Sequence, residues 1–441
     1  MATTSNVSPY GLLGRTLGHS WSPRIHGVFG SSPYALFERE PNDVAAFIRN
    51  APWRGINVTI PYKREAAELA DVRSPRVERL GVANTLVRRD DGTIFADNTD
   101  VLGFAWMLDR FLKRHTGASA RERLHGQKVI ILGSGGACQA VKAALEDAGS
   151  NVVVISRAGD ETYATLGERH ADAVLLVNTT PVGMFPHCPA SPILDETFDQ
   201  LKSLVGVLDV VYNPERTGLY LMAERKGLPA ESGLAMLVSQ AFFASQSFLG
   251  HALDESLVEQ VEEILRSQTR NVVLIGMPGS GKTSAGRRLA RLCHRPFVDL
   301  DDSFVVDHGI TPSECIRSQG EAIFRQMETQ TAAAHASRSG LVIACGGGIV
   351  TQPRNYDYLH QNGTIVMLDR PLDQLSTNDR PLSQSRGVKA LADERMPLYR
   401  SWADLTLPCT GSAQGDAIEI AKMLGIGVSV DQTAGVSDSP A

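Results

Sequence analysis

The sequence predicts an α/β protein with two separate sheets that each carry a glycine-rich loop, and three observations favour that fold class. An apolar run at 272–275 leads into a glycine-rich segment at 276–283 that opens a helix pattern. A second apolar run at 128–132 leads into another glycine-rich segment at 133–137. Short apolar strands alternate with short helices over residues 1 to about 105. Since each loop must follow a strand of its own sheet, the chain is expected to contain at least two α/β units.

The segment 276–283 reads Gly-Met-Pro-Gly-Ser-Gly-Lys-Thr and matches the P-loop pattern in the strand, loop, helix context that the pattern requires. Its glycines let backbone N–H groups surround an anion at a helix N-terminus. Lys282 would reach the terminal phosphates, and the Thr283 hydroxyl would meet Mg²⁺. The alternative is a glycine-rich turn that contains a lysine by chance. The residues expected to contact ATP here are Gly279, Ser280, Gly281, Lys282, Thr283 and Ser284.

Composition favours a protein that acts on small molecules. The chain has 441 residues, of which 43% are hydrophobic, enough for more than one core. The formal net charge is −6, and no long basic run is present to follow a nucleic-acid backbone. We therefore expect no nucleic-acid partner.

Cysteine usage and the lack of long apolar runs predict a cytoplasmic location. The six cysteines show no CxxC or Cys/His spacing, so free thiols in a reducing compartment are expected rather than disulfides or zinc. Residues 1–8 are polar and lack the apolar region of a signal peptide, and no run approaches 18 apolar residues. A membrane partner is not expected.

The first hundred residues place polar side chains where predicted strands end. Strands are predicted at 11–14, 34–37 and 55–60, and Ser22-Pro23 opens a helix with the serine as N-cap. The segment 85–96 is predicted to form a hairpin that turns at Asp-Asp-Gly. The polar residues at these ends are Ser20, Ser22, Asn57, Thr59, Lys63, Asn84 and Asp97 to Asp100.

The loop Gly133-Ser134-Gly135-Gly136-Ala137 is typical of a dinucleotide-binding βαβ unit, with a second strand at 151–155. Cys138 stands where the fingerprint asks for Gly or Ala, and the alternative is a loop that merely packs a helix against a sheet. The second strand ends in Ser156-Arg157 rather than in an acid, which favours the 2′-phosphate of NADP. Gly159, Asp160 and Glu161 follow. The acidic pair either weakens the selectivity for NADP or forms a helix N-terminus.

Later elements complete the organisation of the chain. Residues 231–240 open a long apolar helix, and 253–266 form an amphipathic helix that ends in a short connection. A strand is predicted at 297–301, with the carboxylates of Asp299 and Asp301 on one face at its C-terminal end. The small, polar tail at 427–441 is expected to be disordered.

Four segments, in order, resemble the shikimate dehydrogenase family. They are Gly18-His19-Ser20-Trp21-Ser22-Pro23, Asn57-Val58-Thr59-Ile60-Pro61-Tyr62-Lys63, Gly81-Val82-Ala83-Asn84-Thr85 and Asp97-Asn98-Thr99-Asp100. The loops 178–184 and 209–214 resemble those at the nicotinamide end of the family's cleft. The resemblance implies a substrate-binding domain at 1–105, completed by helices at 232–267, and a Rossmann NADP-binding domain at 106–231.

The same resemblance implies roles for individual residues. Lys63 and Asp100 would be the catalytic pair, and Ser20 and Ser22 would bind the substrate carboxylate. The remaining substrate contacts would be Asn57, Thr59, Asn84, Tyr212 and Gln240. The cofactor contacts would be Gly133, Ser134, Gly135, Gly136, Ala137, Ser156, Arg157, Thr179 and Gly233. Without the resemblance, Asn57 and Thr59 would be an ordinary strand face, and Lys63 and Gln240 would face solvent.

The region from about 270 to 425 resembles shikimate kinase, a P-loop domain with a parallel sheet. The supporting segments are Gly320–Glu328, Cys345–Gly348, Asp379–Leu382 and Arg395–Tyr399, besides the P-loop and the Asp299–Asp301 segment. The resemblance implies that Asp301, Arg325, Gly346–Gly348 with Gly347 at its centre, and Arg395 line the shikimate pocket. It implies Mg²⁺ at Thr283 and Asp299, and Lys282 and Arg380 on the transferring phosphoryl group. Each arginine alone would be read as a surface or ion-pair residue.

This chain departs from the kinase pattern at three places. The segment between Arg380 and Arg395 is compact. The stretch 368–379 is short and lacks the arginine that relatives present to the adenine ring, with Leu375 and Ser376 in that region. Val305 replaces an acidic residue that is common after the aspartate pair.

The resulting expectation is a bifunctional enzyme that reduces 3-dehydroshikimate to shikimate with NADPH and then phosphorylates shikimate with ATP·Mg²⁺. One alternative is a quinate/shikimate dehydrogenase with a non-catalytic or weakened kinase-like domain. Another is that one half is a binding or scaffolding module. The sequence leaves the oligomeric state open.

Overall fold

The computed structural model describes residues 8–18, 20–375 and 387–426. The tail predicted to be disordered therefore lies outside the described residues. Contacts divide the chain into two units. The first comprises Met1–Val182, Ser191–Glu215 and Met222–Ile264, and the second comprises Gly183–Ala190, Arg216–Leu221 and Leu265–Ala441.

The first sheet of the first unit is mixed. Its strands are β1 (Tyr10–Gly14), β2 (Tyr34–Glu38), β3 (Gly55–Val58), β4 (Val72–Arg73), β5 (Thr85–Arg88) and β6 (Ile94–Asp97), in the order β2-β1-β3-β5-β6-β4. The strands β5 and β6 form the predicted antiparallel hairpin, and β1 pairs in parallel with both β2 and β3. Four helices connect these strands: α1 (Ser22–Val28), α2 (Pro41–Asn50), α3 (Lys63–Leu69) and α4 (Pro75–Leu80).

The second sheet of this unit is parallel. Its strands are β7 (Lys128–Leu132), β8 (Asn151–Ile155), β9 (Leu175–Asn178), β10 (Gly206–Asp209) and β11 (Ala230–Glu231), in the order β11-β10-β9-β7-β8. Because β7 has β8 on one side and β9 on the other, the strand order changes direction beside the glycine-rich loop. Open α/β sheets bind ligands at such a point.

Eight helices are associated with the second sheet and with the segments before and after it. They are α5 (Thr99–Thr116), α6 (Ala120–Leu124), α7 (Gly136–Asp147), α8 (Leu166–Arg169), α9 (Asp195–Phe198), α10 (Gly218–Arg225), α11 (Leu234–Leu249) and α12 (Ser256–Thr269). The helix α11 is apolar on nearly every side, and it packs on α5, α1, β3 and β5. It thus returns to the first sheet, as predicted.

The sheet of the second unit is also parallel, which confirms the predicted α/β fold class. Its strands are β12 (Asn271–Ile275), β13 (Phe297–Asp299), β14 (Val342–Ala344), β15 (Gly363–Asp369) and β16 (Leu405–Pro408), in the order β13-β14-β12-β15-β16. The central strand β12 is buried along its whole length, and its alternate side chains enter two cores on opposite faces.

Helices cover both faces of this sheet. They are α13 (Lys282–Leu292), α14 (Leu300–His308), α15 (Pro312–Gln319), α16 (Glu321–Ala336), α17 (Arg354–His360), α18 (Val388–Trp402) and α19 (Ala413–Met423). Short 3-10 turns occur at Ile349–Thr351 and Leu372–Gln374.

Three local predictions are wrong. The N-cap of α1 is Trp21, so Ser22 is the first helical residue. The helix α12 continues to Thr269, through most of the predicted connection. The predicted strand at 297–301 ends at Asp299, which caps α14 by accepting a hydrogen bond from the Asp301 N–H. Asp301 therefore lies in the first turn of a helix, and strand alternation does not explain its direction.

Candidate active sites

Lys63 and Asp100 form an ion pair at the start of two helices. Lys63 is the first residue of α3, and Asp100 lies in the first turn of α5. The distance from Lys63 Nζ to Asp100 Oδ2 is 2.6 Å, and the two side chains are 27% and 17% exposed. The pair therefore keeps access to solvent while the surrounding protein fixes its geometry. An ammonium so held can donate a proton to an oxygen that gains negative charge.

Asn84 orients this pair from the buried side. Its amide nitrogen donates to Asp100 Oδ1 at 2.9 Å, and its amide oxygen accepts from the Thr99 N–H at 2.7 Å. Gln240 Oε1 lies 3.5 Å from the same amide nitrogen. Four of the predicted site residues, Lys63, Asn84, Asp100 and Gln240, are thus brought together.

Gly103 allows Gln240 to approach. A Cβ atom at Gly103 would lie 2.8 Å from both the backbone nitrogen and the Cβ of Gln240. Only a residue without a side chain permits α5 and α11 to touch backbone to backbone at this point. Sequence reasoning missed Gly103, since a glycine inside a helix pattern carries no local sign of its partner.

Asn57 and the two serines lie farther along the same polar cluster. The Asn57 amide accepts from the Tyr34 hydroxyl at 2.9 Å and donates to the Asn84 carbonyl oxygen at 3.3 Å. Ser20 Oγ and Ser22 Oγ are 3.1 Å apart. Asn57 is buried and its amide is bonded to protein groups, as is the amide of Asn84.

Two further predicted substrate residues lie near the serines and the end of β1. The ring of Tyr212 is 5.1 Å from the ring of Trp21, between Ser20 and Ser22. Thr59 follows β3, and its backbone N–H donates to the Leu13 carbonyl. A Cβ at Gly14 would lie 2.7 Å from the Thr59 methyl group, so the two chains are in close contact there.

The loop after β7 has the shape of an anion cradle. Gly133 has a positive φ of 95°, and Gly135 precedes the first turn of α7. A Cβ at Gly135 or at Gly136 would meet no atom within 4 Å, so the space above the loop is open. Ser134 is exposed, and Ala137 is half-buried inside the first turn. Backbone N–H groups at a helix N-terminus that face open space suit a pyrophosphate.

Thr179 and Gly233 support this cleft through backbone packing. The Thr179 hydroxyl is 2.8 Å from the carbonyl oxygen of Leu132, to which it donates, so it holds the end of β7. A Cβ at Gly233 would lie 2.0 Å from the carbonyl oxygen of Val210, which explains the glycine by close approach of the chain. Cys138 lies on α7 and is buried in the hydrophobic core, where its small side chain fits.

The end of β8 presents a hydroxyl and a guanidinium. Ser156 is half-buried, and Arg157 is exposed. Glu161 is bonded elsewhere, to Arg169 at 2.8 Å and to His170 at 3.1 Å. The Glu161 carboxylate is therefore neutralised by its own partners. The alternative of a helix N-terminus at the acidic pair is wrong, since the next helix, α8, begins only at Leu166.

The P-loop of the second unit follows the central strand β12. Gly276, Gly279 and Gly281 have positive φ values of 142°, 88° and 96°, which side chains rarely adopt. Lys282 Nζ donates to the carbonyl oxygens of Gly276 and Met277 at 2.9 and 3.0 Å.

Oxygen donors suited to a hard cation meet beside this loop. Thr283 Oγ1 donates to Asp299 Oδ2 at 2.7 Å. Mg²⁺ takes one or two such protein ligands and completes its shell with phosphate and water oxygens, so these two residues fit the ion. The described part of the chain contains no group of three or more His, Cys, Asp or Glu side chains placed around one metal position.

A cavity of about 450 Å³ lies in front of the P-loop. Asp301 lines it. Desolvation of the Asp301 carboxyl, followed by the charge of Asp299, raises its pKa against the opposing charges of Lys282 and Arg325. A Cβ at Gly346 would lie 2.8 Å from Asp301 Oδ1, so the carboxylate rests on the glycine triplet.

The two predicted pocket arginines are buried and only partly bonded. Arg325 pairs with Glu328 at 2.7 Å and with Glu321 at 3.0 Å, and its guanidinium occupies the space that a Cβ at Gly348 would need. Arg395 donates through Nη1 to the Gly347 carbonyl at 3.1 Å. Among the described residues, Arg325 Nε, Arg395 Nε and Arg395 Nη2 find no hydrogen-bond acceptor. Buried guanidinium N–H groups without an acceptor fit an anionic ligand.

Some supporting residues were not predicted, and one predicted residue is not described. Arg370 donates to the Ser280 carbonyl at 3.1 Å and lies 3.4 Å from Asp416, so it braces the P-loop. Glu328 is buried beside Arg325, and burial raises the pKa of its carboxyl. Ser280 is buried in the loop and Ser284 is exposed in the first turn of α13. Arg380 lies outside the described residues.

Within the described ranges, no helix is both long enough and apolar enough to cross a bilayer.

Two family models match the chain. The shikimate dehydrogenase substrate-binding domain matches residues 12–86, and shikimate kinase matches residues 278–424. A shikimate dehydrogenase (NADP(+)) of Clostridium perfringens is 33% identical over 279 residues, which cover 58% of this chain and 98% of that protein. One from Oleidesulfovibrio alaskensis is 38% identical over 251 residues, which cover 52% of this chain and 86% of that protein.

Solved structures resemble the same part of the chain. The chorismate mutase/shikimate 5-dehydrogenase fusion protein of Clostridium acetobutylicum is similar with a TM-score of 0.53 and 31% identity, over 59% of this chain and 97% of that chain. The shikimate 5-dehydrogenase of Listeria monocytogenes, in complex with shikimate and NAD, is similar with a TM-score of 0.50 and 26% identity, over 60% of this chain and 99% of that chain. The chain belongs to the shikimate dehydrogenase family, and it carries a shikimate kinase domain at its C-terminal end.

Proposed function

We propose that the protein catalyses two consecutive reactions on one metabolite: NADPH-dependent reduction of 3-dehydroshikimate to shikimate, and ATP-dependent phosphorylation of shikimate at its 3-hydroxyl. The observation that carries the proposal is the presence of two side-chain sets, one around Lys63 and Asp100 and one around Asp301 and Arg395 beside the P-loop. We assign the first reaction to residues 1–267 and the second to residues 270–425.

For the reduction, the proposed roles follow from the geometry of the ion pair. Reduction of a ketone leaves negative charge on its oxygen, and the Lys63 ammonium is placed to stabilise that charge and to donate the proton. Asp100 orients Lys63 and has an oxygen available for a ring hydroxyl. Asn84 and Gln240 would contact the ring, and Ser20 and Ser22 would bind the carboxylate.

The open loop at Gly133–Ala137 would bind the pyrophosphate of the cofactor, and Ser156 and Arg157 would bind the 2′-phosphate. NADPH, when bound, supplies the hydride. The exposed guanidinium of Arg157 and the internal pairing of Glu161 support NADP as the preferred cofactor. The names of the curated relatives, which specify NADP(+), support the same choice.

For the phosphorylation, catalysis would come mainly from positioning and charge neutralisation. Arg395 and Arg325 would bind the carboxylate of shikimate through their unbonded N–H groups. Asp301 would orient the attacking hydroxyl and accept its proton, a role that its raised pKa suits. Lys282 and Arg380 would neutralise the transferring phosphoryl group, and Thr283 and Asp299 would hold Mg²⁺ on the nucleotide.

The test is to assay the purified full chain in two separate reactions. One contains 3-dehydroshikimate and NADPH, and the other contains shikimate, ATP and Mg²⁺. Turnover in both supports the proposal. Turnover in the first reaction alone would support a dehydrogenase with a non-catalytic kinase domain, and quinate with NADP⁺ in a third reaction tests the choice of substrate.

A further inference from the structure

A chain of hydrogen bonds runs through the first unit from Tyr34 to the catalytic pair. The Tyr34 hydroxyl donates to Asn57 Oδ1 at 2.9 Å, and Asn57 Nδ2 donates to Thr85 Oγ1 at 3.3 Å. Every donor in this half of the chain points the same way.

The second half of the chain reaches the catalytic pair. The Thr85 hydroxyl lies 3.0 Å from both Asn84 Oδ1 and Thr99 Oγ1, and Asn84 Nδ2 donates to Asp100 Oδ1 at 2.9 Å. The other oxygen of Asp100 accepts from Lys63. The orientation of Asn57 is fixed because its nitrogen also faces the Asn84 carbonyl oxygen, which can only accept.

The middle of this chain is buried away from water. Asn57, Asn84 and Thr85 are buried, and Tyr34 stacks on the buried His26 with ring centroids 4.1 Å apart. His26 is anchored in turn by Ser245 of α11, 3.0 Å from its Nδ1. In such a dry environment, successive hydrogen bonds polarise one another, and the loss of one link weakens the next.

We propose that Tyr34 is a positioning residue for the dehydrogenase reaction, whose hydroxyl is connected to Asp100 through Asn57, Thr85 and Asn84. Tyr34 acts through these residues and is not assigned a contact with the reacting atoms. The proposal rests on the proposed function, because it takes Lys63 and Asp100 as the catalytic pair.

The test is the variant Tyr34→Phe in the full chain, which removes one oxygen and keeps the ring that stacks on His26. We expect kcat/KM for 3-dehydroshikimate to fall roughly tenfold, as for the loss of one buried hydrogen bond. The KM for NADPH and the kinase turnover should not change. The matched control is Tyr10→Phe: Tyr10 pairs in register with Tyr34 on the neighbouring strand and stacks on Phe248, outside the hydrogen-bond chain.

A double variant separates positioning from a merely structural role. If Tyr34 acts through Asn84, adding Tyr34→Phe to Asn84→Ala should cause little further loss. Losses that multiply, or a Tyr34→Phe enzyme with unchanged kcat/KM, would overturn the proposal. Should Tyr34→Phe not fold, Thr85→Val removes the next hydroxyl at constant shape and carries the same expectations.

The outcomes distinguish the two levels of the argument. If Lys63→Ala abolishes turnover while Tyr34→Phe and Thr85→Val leave it unchanged, only the positioning role is wrong. If the wild-type chain does not reduce 3-dehydroshikimate, or if Lys63→Ala is fully active, the proposed function fails and the positioning role fails with it.

Discussion

Lys63 Nζ lies 2.6 Å from one carboxylate oxygen of Asp100, and Asn84 donates to the other at 2.9 Å. Each Asp100 oxygen therefore has a fixed hydrogen-bond partner, and the Lys63 ammonium is held in one position. We expect Lys63→Ala to lower dehydrogenase turnover by a factor of about 10² to 10⁴, the usual contribution of a positioned proton donor.

The measurement is steady-state reduction of 3-dehydroshikimate, with NADP⁺ affinity measured separately by titration. Affinity for NADP⁺ should be unchanged, since no part of the dinucleotide loop is altered. Lys142→Ala is a control, because Lys142 lies on α7 and makes only an exposed pair with Glu146. Turnover of Lys63→Ala at the wild-type level would remove Lys63 from the mechanism.

Lys282→Ala should abolish phosphorylation of shikimate and leave the dehydrogenase reaction intact. Without the ammonium, no cation of the P-loop itself would remain to neutralise the terminal phosphates. Coupled assays of ADP release and of NADPH oxidation on the same preparation check both parts. The exposed Lys422, paired with Glu419, gives a matched control as Lys422→Ala. A parallel fall of both activities would show that the two sites are not independent.

Arg395→Lys should raise the KM for shikimate by roughly one to two orders of magnitude, with a smaller change in the KM for ATP. Arg395 lines the cavity, and two of its N–H groups have no acceptor among the described residues. Lysine keeps the charge but loses the planar guanidinium, and a hydrogen bond to a charged group contributes about 1.5 to 3 kcal/mol. Kinetics at varied shikimate concentration measure this. Arg400→Lys, an exposed position of the same helix, is the control. An unchanged KM would mean that the carboxylate binds elsewhere.

Because His26 is buried, the free energy of unfolding of the first unit should decrease in acid. Burial lowers the pKa of its imidazole to about 3, against 6.5 in the unfolded chain. Because the unfolded state binds the proton first, the free energy of unfolding should be highest above pH 6.5 and should decrease as the pH falls from 6.5 towards 3. At pH 5 the loss should be about 2 kcal/mol.

Urea unfolding of the full chain at pH 7 and pH 5, followed by the loss of dehydrogenase activity, measures this difference for the first unit. In His26→Phe, which retains a ring against Tyr34, the contribution of this group should disappear and the pH dependence should be smaller. An identical pH dependence in the variant would assign the acid sensitivity to other groups.

The main architecture could be predicted because it depends on local patterns. Apolar runs of four or five residues that end in glycine gave β7 and β12 with at most one residue of error, since a buried parallel strand is apolar throughout. The resemblance to two families then supplied positions for side chains that the sequence order alone could not bring together.

What could not be predicted depends on distant partners or on competing local signals. Asp299 and Asp301 are spaced as they would be on one face of a strand, but the Asp299 carboxylate caps a helix instead. The same residues fit both a strand end and a helix N-cap, so the sequence does not decide between them. The Asn57 side chain accepts a hydrogen bond from Tyr34, and the Thr179 hydroxyl donates to Leu132 at the end of β7. Both partners are distant in the sequence. The N–H groups of Arg395 that lack an acceptor can be recognised only when the residues around the cavity are placed in three dimensions.

The backbone contact at Gly103 has a consequence for attempts to engineer new substrates. The backbone of Gln240 is placed by the spacing between two helices, because α5 and α11 touch where a side chain at 103 would stand, and its amide nitrogen donates to the Leu237 carbonyl. Enlarging that one position would move the Gln240 amide outward without altering any polar group of the site. Variant libraries intended to accept substrates with different ring hydroxyl groups can therefore vary position 103, which sets the spacing of α5 and α11, and leave the catalytic residues unchanged.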